Sequence, residues 1–282
     1  MLSAVATGDK HETDYVLGTH DEEVARLGLQ HRVWRSVVTE CWQRAGITHG
    51  SRVIDVGAGP GYATADLAEI VGPTGAVLAV ERSTRFLEVA RERCRNHGVT
   101  NVEFREGDLM EISLGDLGYD ASWCRWVASF VLSPKKLLEN IASALRPGGL
   151  AIFHEYSDYE TFCSPPFMPV KPNLQRFIQE VMGSWRAAGG EPNIAKELPR
   201  MLGESSFRVL EIRPQVRTVS PRDYTWQWPA SFTEINLVRL QELGRVTPEW
   251  AADVLREFKE AEANPGAWFT TPMFLEIIAQ KI

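Results

Sequence analysis

This 282-residue chain has little of several things that would classify it quickly. Its four cysteines, Cys41, Cys94, Cys124 and Cys163, are far apart, and no C-x-x-C pair exists. That spacing excludes a zinc ribbon and a disulfide framework, so reduced, packed thiols are expected. No paired His/Asp cluster suggests a metal either. Basic residues are outnumbered, with 30 Lys and Arg against 37 Asp and Glu and a net charge of −7. Nucleic-acid binding as a main task is disfavoured, because neutralising phosphates requires a basic face. No apolar run reaches the ~18 residues of a membrane span. The opening stretch MLSAVATGDKHETDY lacks both the basic start and the apolar core of a secretion signal. A cytoplasmic location is therefore expected. There is no internal repeat and no low-complexity tract.

The chain has enough apolar material, 44% of its residues, to bury a sizeable core. Its organising stretch is Ser51 to Thr64, SRVIDVGAGPGYAT. Val53, Ile54 and Val56 read as a buried strand. Gly57, Ala58, Gly59 and Gly61 form a turn that lets a ligand approach the main chain. ATADLAEIV then has helical spacing. The glycines follow G-x-G-x-G, with the third one place too early for the dinucleotide fingerprint. A second buried strand, VLAVE, ends in Glu81 about 20 residues on, where a ribose-binding acid belongs. Asp108 closes a third segment, VEFREGD, which includes Gly107.

Strand and helix patterns continue to alternate. Strands are expected at Ala76–Val80, Val102–Arg105, Tyr119–Trp126 and Leu150–His154, with helices opened by Ser83 and Pro134. This rhythm implies a parallel α/β sheet with right-handed crossovers. Residues 19–41 carry helical spacing, as one helix or as two divided near Gly28. After His154 the rhythm breaks. Helices are expected at Asn173–Ala188 and Ile194–Gly203, a strand at Phe207–Ile212, helical patterns at 232–244 and 248–262, and a last strand from Phe274 to Ile278.

VIDVGAGPG, VLAVE, REGD and LRPGGLAIFHE, in that order across residues 50–156, resemble the class I S-adenosylmethionine-dependent methyltransferases. The resemblance implies a Rossmann-like doubly wound sheet of about seven strands, mostly parallel with an antiparallel last strand, plus helical lid insertions. The expected division is an N-terminal helical lid over 1–49 and the donor-binding core over 50–155. A helical lid insertion follows over 156–205. The remainder of the core, 206–282, carries its own insertion at 215–270. Strands six and seven form a tight pair in the simplest members, so the long connection here departs from the minimal pattern.

The resemblance also implies roles. Asp55 holds the amino end of the donor, Glu81 takes both ribose hydroxyls, and Asp108 accepts from the adenine amino group. Leu109 or Met110 packs on the adenine ring, and Arg82 stands beside it. Tyr15, Gln30 and Arg26 have two readings, as a lid over the donor or as packing. Arg125 and Trp126 end the fourth strand near the reactive methyl, and Arg125 either meets the donor or orients the acceptor. His154 and Glu155 end the fifth strand. One of them is a candidate general base, the other reading being a packed histidine and a loop-ordering carboxylate. S-adenosylmethionine is the expected cofactor, leaving as S-adenosylhomocysteine.

Aromatics outside the strands, among them Tyr156, Tyr159, Phe162, Trp185, Trp226, Trp228 and Phe232, suit an apolar or aromatic small-molecule acceptor. The expected function is methyl transfer to O, N or C of such a molecule, with secondary metabolism as its setting. Three alternatives stand beside it: cyclisation or elimination chemistry in the same donor site, a non-catalytic nucleoside sensor, and an NAD-dependent oxidoreductase. The expected partner is the acceptor, with a homodimer left open.

Overall fold

The structure is a computed structural model that describes residues 18–162 and 171–282. Tyr15 and Cys163 lie outside the described residues. Helix α1 (Asp21–Arg44) opens on His20, whose ring accepts from the Glu23 N–H at 3.3 Å. Three acids in its first turn suit the positive helix end. It is one uninterrupted helix that passes through Gly28.

The core then runs β1 (Arg52–Val56), α2 (Tyr62–Val71), β2 (Ala76–Glu81), α3 (Thr84–Asn96), β3 (Val102–Glu106), β4 (Tyr119–Arg125), α4 (Pro134–Ala144) and β5 (Leu145–Asp158). After it come α5 (Pro172–Ala187), α6 (Leu198–Gly203), β6 (Phe207–Gln215), β7 (Thr218–Val219), α7 (Gln227–Glu242), α8 (Pro248–Ala263), β8 (Phe269–Thr270) and β9 (Met273–Lys281). Ser83 and Ser133 cap α3 and α4 by accepting the N–H groups of Phe86 and Lys136.

Seven strands form one sheet in the order β3-β2-β1-β4-β5-β9-β6. Strands β1 to β5 pair in parallel, and β9 runs antiparallel between β5 and β6. This is the expected Rossmann-like sheet with one reversed strand. Strand order reverses between β1 and β4, so a crevice opens above their carboxyl ends.

Apolar cores lie on both faces. One joins Val53, Trp123 and Ile152 of the sheet to Trp34, Val38 and Trp42 of α1 and Leu67 of α2. The other joins Ile54, Leu78 and Phe153 to Leu137 and Ile141 of α4 and Leu198 of α6. Because side chains alternate along a strand, Asp55, Trp123 and His154 share the α1 face, and Cys124 shares the opposite face with Phe153.

Three details differ from expectation. Strand β5 is longer than Leu150–His154: Leu145 already pairs with Tyr119, and the register then slips before Ala121 meets Leu150. The segment expected as a lid, 156–205, divides between the two cores: α6 joins the α4-side core through Leu198 and Leu202, and α5 joins the α1-side core through Phe177, Met182 and Trp185, whose ring lies 6.2 Å from that of Tyr156 in β5. Residues 215–270 hold, besides their helices, a two-stranded ribbon of β7 and β8. No described helix is long and apolar enough to cross a membrane.

Candidate active site

A cavity of about 300 Å³ lies over the carboxyl ends of β1, β2 and β4. Its floor begins with the glycine turn. Gly57, Gly59 and Gly61 all have positive φ, at 70°, 54° and 76°. A Cβ on Gly57 would come within 2.4 Å of Val127, and one on Gly61 within 2.6 Å of the Ala90 Cβ in α3. Gly57 and Gly59 line the cavity and Gly61 does not. The third glycine therefore lets the turn pack against α3, which corrects its assignment as a ligand contact.

Glu81 ties the turn to the second strand. One carboxylate oxygen accepts the Gly59 N–H and the other the Ser83 N–H, both at 2.9 Å. Two bonds leave further acceptor capacity on both oxygens. Burial pushes its pKa up. Asp55 is 2% exposed and accepts the Thr64 hydroxyl at 2.6 Å. Burial pushes it up to about 6, against the pull of Thr64 and Arg125. Asp108 orders its own loop by accepting the Met110 N–H at 2.7 Å, with Arg82 3.7 Å from its other oxygen. Ala58, Arg82, Gly107, Asp108 and Leu109 all line the same space.

The first turns of α1 roof it. Gln30 lines the cavity, and its carbonyl oxygen accepts from both Arg26 and Trp228 at 3.0 Å. Arg26 is itself clamped by Glu23 through two bonds of 2.7 and 2.6 Å. These bonds fix Gln30 and commit its carbonyl, so its amide nitrogen is the group left to a ligand.

At the end of β4, Trp126 takes φ 53°, the sole described non-glycine residue with positive φ. Such outliers persist where the surroundings over-determine them. Here its ring lies parallel to Tyr156 at 5.2 Å, flanked by Trp228 and edge-on to Phe274. Trp126, Tyr156, Trp185, Phe130 and Phe232 give this half of the cavity an aromatic wall, with exposed Leu132 beside it.

The two proposed bases are elsewhere, which corrects them. Glu155 is fully buried on the other face of the sheet. Its oxygens accept the N–H groups of Val127, Ala128 and Ser129 and the Ser129 hydroxyl. Burial still lifts its pKa to about 7. It holds the segment after β4 and does not reach the cavity. His154 is also fully buried, 4.6 Å from the Trp123 ring and with Nε2 3.0 Å from Glu276. Neither lines the cavity. The sulfur of Cys41 joins His154 and Glu276 in a buried set whose donor atoms lie within 4.8 Å of one another. Among the described residues it is the one set of three that could share a metal ion, and it stands apart from the cavity. Arg44 holds the second oxygen of Glu276 at 2.5 Å.

A family model described as a methyltransferase domain matches residues 47–207, more than half of the chain. The chain belongs to the class I S-adenosylmethionine-dependent methyltransferases. It is similar to a ubiquinone/menaquinone biosynthesis C-methyltransferase of Ectopseudomonas mendocina, 31% identical over 157 residues. That match covers 52% of this chain and only 60% of the relative. Among solved structures, one described as a methyltransferase from Bacillus halodurans aligns over 87% of this chain and 99% of its own, at a TM-score of 0.58 and 18% identity. A geranyl diphosphate C-methyltransferase from Streptomyces coelicolor aligns over 89% and 77%, at a TM-score of 0.56 and 13% identity. Both likenesses are of fold.

Within this methyltransferase, sequence reasoning reached Asp55, Glu81, Asp108 and the glycine turn, because each stands at a fixed place in an ordered motif. It missed Tyr62, Phe86, Val127 and Phe130 as lining residues. Tyr62 directly follows the last glycine, and its hydroxyl donates to the Val24 carbonyl of α1 at 3.1 Å. Only that position marked it.

Proposed function

We propose that this chain transfers a methyl group from S-adenosylmethionine to a small, apolar or aromatic organic molecule. The observation that carries this is the division of one cavity into two chemistries. Carboxylates Asp55, Glu81 and Asp108 and the glycine turn occupy one part, and an aromatic wall occupies the other. The donor fits the first part. A carboxylate with spare acceptor capacity suits a ribose diol, and a buried acid suits an ammonium. Leu109 and Met110 offer apolar surface for a base. Bound there, S-adenosylmethionine supplies an electrophilic methyl group on a sulfonium.

What this chain's residues contribute is alignment and exclusion of water. Asp55, Glu81 and Gln30 hold the donor, and the rings of Trp126, Tyr156 and Phe232 orient a flat or greasy acceptor. Ring faces also tolerate a positive sulfur through cation–π attraction. With His154 and Glu155 outside the cavity, alignment of donor and acceptor is the contribution this reading assigns to the chain. The relative's name includes C-methylation, which makes an electron-rich aromatic carbon the first acceptor to try.

The test is incubation with the donor and a panel of phenols, quinols, aromatic amines and prenylated compounds, followed by mass detection of methylated product and S-adenosylhomocysteine. Product with at least one apolar acceptor is expected. Saturable binding of NAD with none of S-adenosylmethionine, measured by calorimetry, would defeat the reading.

A further inference from the structure

Beside Asp55 stands a second charged group whose bonding is incomplete. Arg125 is the last residue of β4 and lines the cavity. Its Nη2 donates to Nδ1 of His31 at 3.1 Å. Its Nη1 is buried and has no hydrogen-bond partner among the described residues. A buried cationic N–H without an acceptor is costly and requires an explanation.

The other side of this arginine is firmly held. A guanidinium has no lone pair to offer, so Nδ1 of His31 must be the acceptor and the ring proton resides on Nε2. That nitrogen donates to Asp66 Oδ2 at 3.0 Å, and Asp66 also accepts from Arg35 at 2.7 and 3.1 Å. The His31 ring stacks on Tyr62 at 6.0 Å. Burial, with Arg125 and Arg35 adding to it, lowers the His31 pKa and keeps the ring neutral, although Asp66 pulls the other way. A chain of bonds from the surface therefore fixes one edge of the guanidinium and leaves the other unsatisfied.

Strand pairing explains why Arg125 is next to Asp55. Asp55 pairs with Trp123, two residues before Arg125, and all three point to the α1 side of the sheet. One cation and one anion thus flank the same corner of the cavity. The amino-acid end of the donor carries the complementary pair, a carboxylate and an ammonium.

We propose that Arg125 receives the donor's carboxylate through Nη1 while Asp55 receives its ammonium, with His31 and Asp66 as positioning residues that aim the guanidinium. The proposal rests on the donor assignment above. Arginine suits the task because its fork recognises a carboxylate in a defined plane.

Calorimetry on the full chain tests it, with S-adenosylhomocysteine and its decarboxylated analogue as probes and no acceptor present. The wild-type protein is expected to prefer the carboxylate-bearing probe roughly 30-fold, the discrimination expected for one charge-assisted contact. Arg125→Gln should cut that preference below about threefold by weakening only the carboxylate-bearing probe. His31→Phe should erode the preference as well. His31→Asn, whose amide oxygen can stand in for Nδ1, should retain most of it, which a merely structural role would not predict. A wild-type protein that binds S-adenosylhomocysteine without discrimination overturns this proposal and leaves the donor assignment standing. Failure to bind either probe overturns both. If Arg125→Gln keeps the preference, the guanidinium does not meet the donor's carboxylate and the proposal falls.

Discussion

The sharpest perturbation of the donor grip is Glu81→Gln. Each oxygen of Glu81 takes one backbone N–H, from Gly59 and from Ser83, at 2.9 Å. In the proposed donor complex the remaining lone pairs would face the two ribose hydroxyls. Glutamine keeps the shape but turns one acceptor into a donor. Whichever way the amide is placed, an NH₂ meets one of those backbone N–H groups, and one hydroxyl loses a charged acceptor. A bond to a charged group contributes ~1.5–3 kcal/mol, and an unmade buried bond costs ~1–3 kcal/mol. Part of the second cost also falls on the unliganded protein, so the net loss in binding should be about 2–3 kcal/mol, or a roughly 30- to 150-fold higher Kd. Titration calorimetry with S-adenosylhomocysteine measures this directly. A 3′-deoxy analogue supplies the control, because the gap between wild type and variant should shrink to a few-fold when the diol is incomplete. An affinity within twofold of wild type, in a variant that melts normally, would refute the reasoning.

Three further outcomes follow from the geometry. Gly28→Ala should destabilise the protein by about 1–2 kcal/mol in chemical denaturation, although alanine gains up to ~1 kcal/mol in a helix interior. The new Cβ would stand 2.4 Å from the Tyr62 hydroxyl oxygen, beneath α1, and unchanged or raised stability would show that the ring yields freely. Glu155→Gln should change how stability depends on pH. Burial raises the folded-state pKa of Glu155 to about 7, so its contribution is fully present below ~4.5 and is lost as pH rises through 7. Relative to the variant, the wild type should therefore lose on the order of 3 kcal/mol between pH 4.5 and 8, and parallel curves would discount the burial argument. Phe232→Leu should raise the KM of an aromatic acceptor by about tenfold and leave donor Kd within twofold, since the ring belongs to the aromatic wall and leucine keeps apolar cover over Arg26. Equal loss of both affinities would place Phe232 in the donor site instead.

Much of the cavity floor proposed for the donor was legible because it is written in local order. A β-branched run, a glycine turn and an acid at the next strand end specify positions that the backbone itself brings together. The long helix α1 was legible from its spacing, although Gly28 left a break open. The base assignment failed for a reason visible in the pleat. The strand expected to end at His154 runs on to Asp158, so His154 and Glu155 lie inside it, where alternation sends one under α1 and the other to the opposite face, and neither lines the cavity. Arg125 was placed correctly at the strand end, yet its partners His31 and Asp66 come from α1 and α2, and no spacing rule links three such distant positions. The aromatic wall was foreseen only as composition. Which rings meet depends on how α5 and α7 fold back, and that is decided by tertiary packing.

The division of labour along the chain has an evolutionary consequence. Most of the proposed donor floor lies within one stretch, from Asp55 to Met110, with Gln30 and Arg125 added from α1 and β4, whereas the proposed acceptor wall is assembled from Trp126, Tyr156, Trp185 and Phe232 on four separate segments. Changes in α5 or at Tyr156 and Phe232 can retune which molecule is accepted while Asp55, Glu81 and the glycine turn stay as they are. A lineage built this way can change its chemistry's target one hairpin or helix at a time.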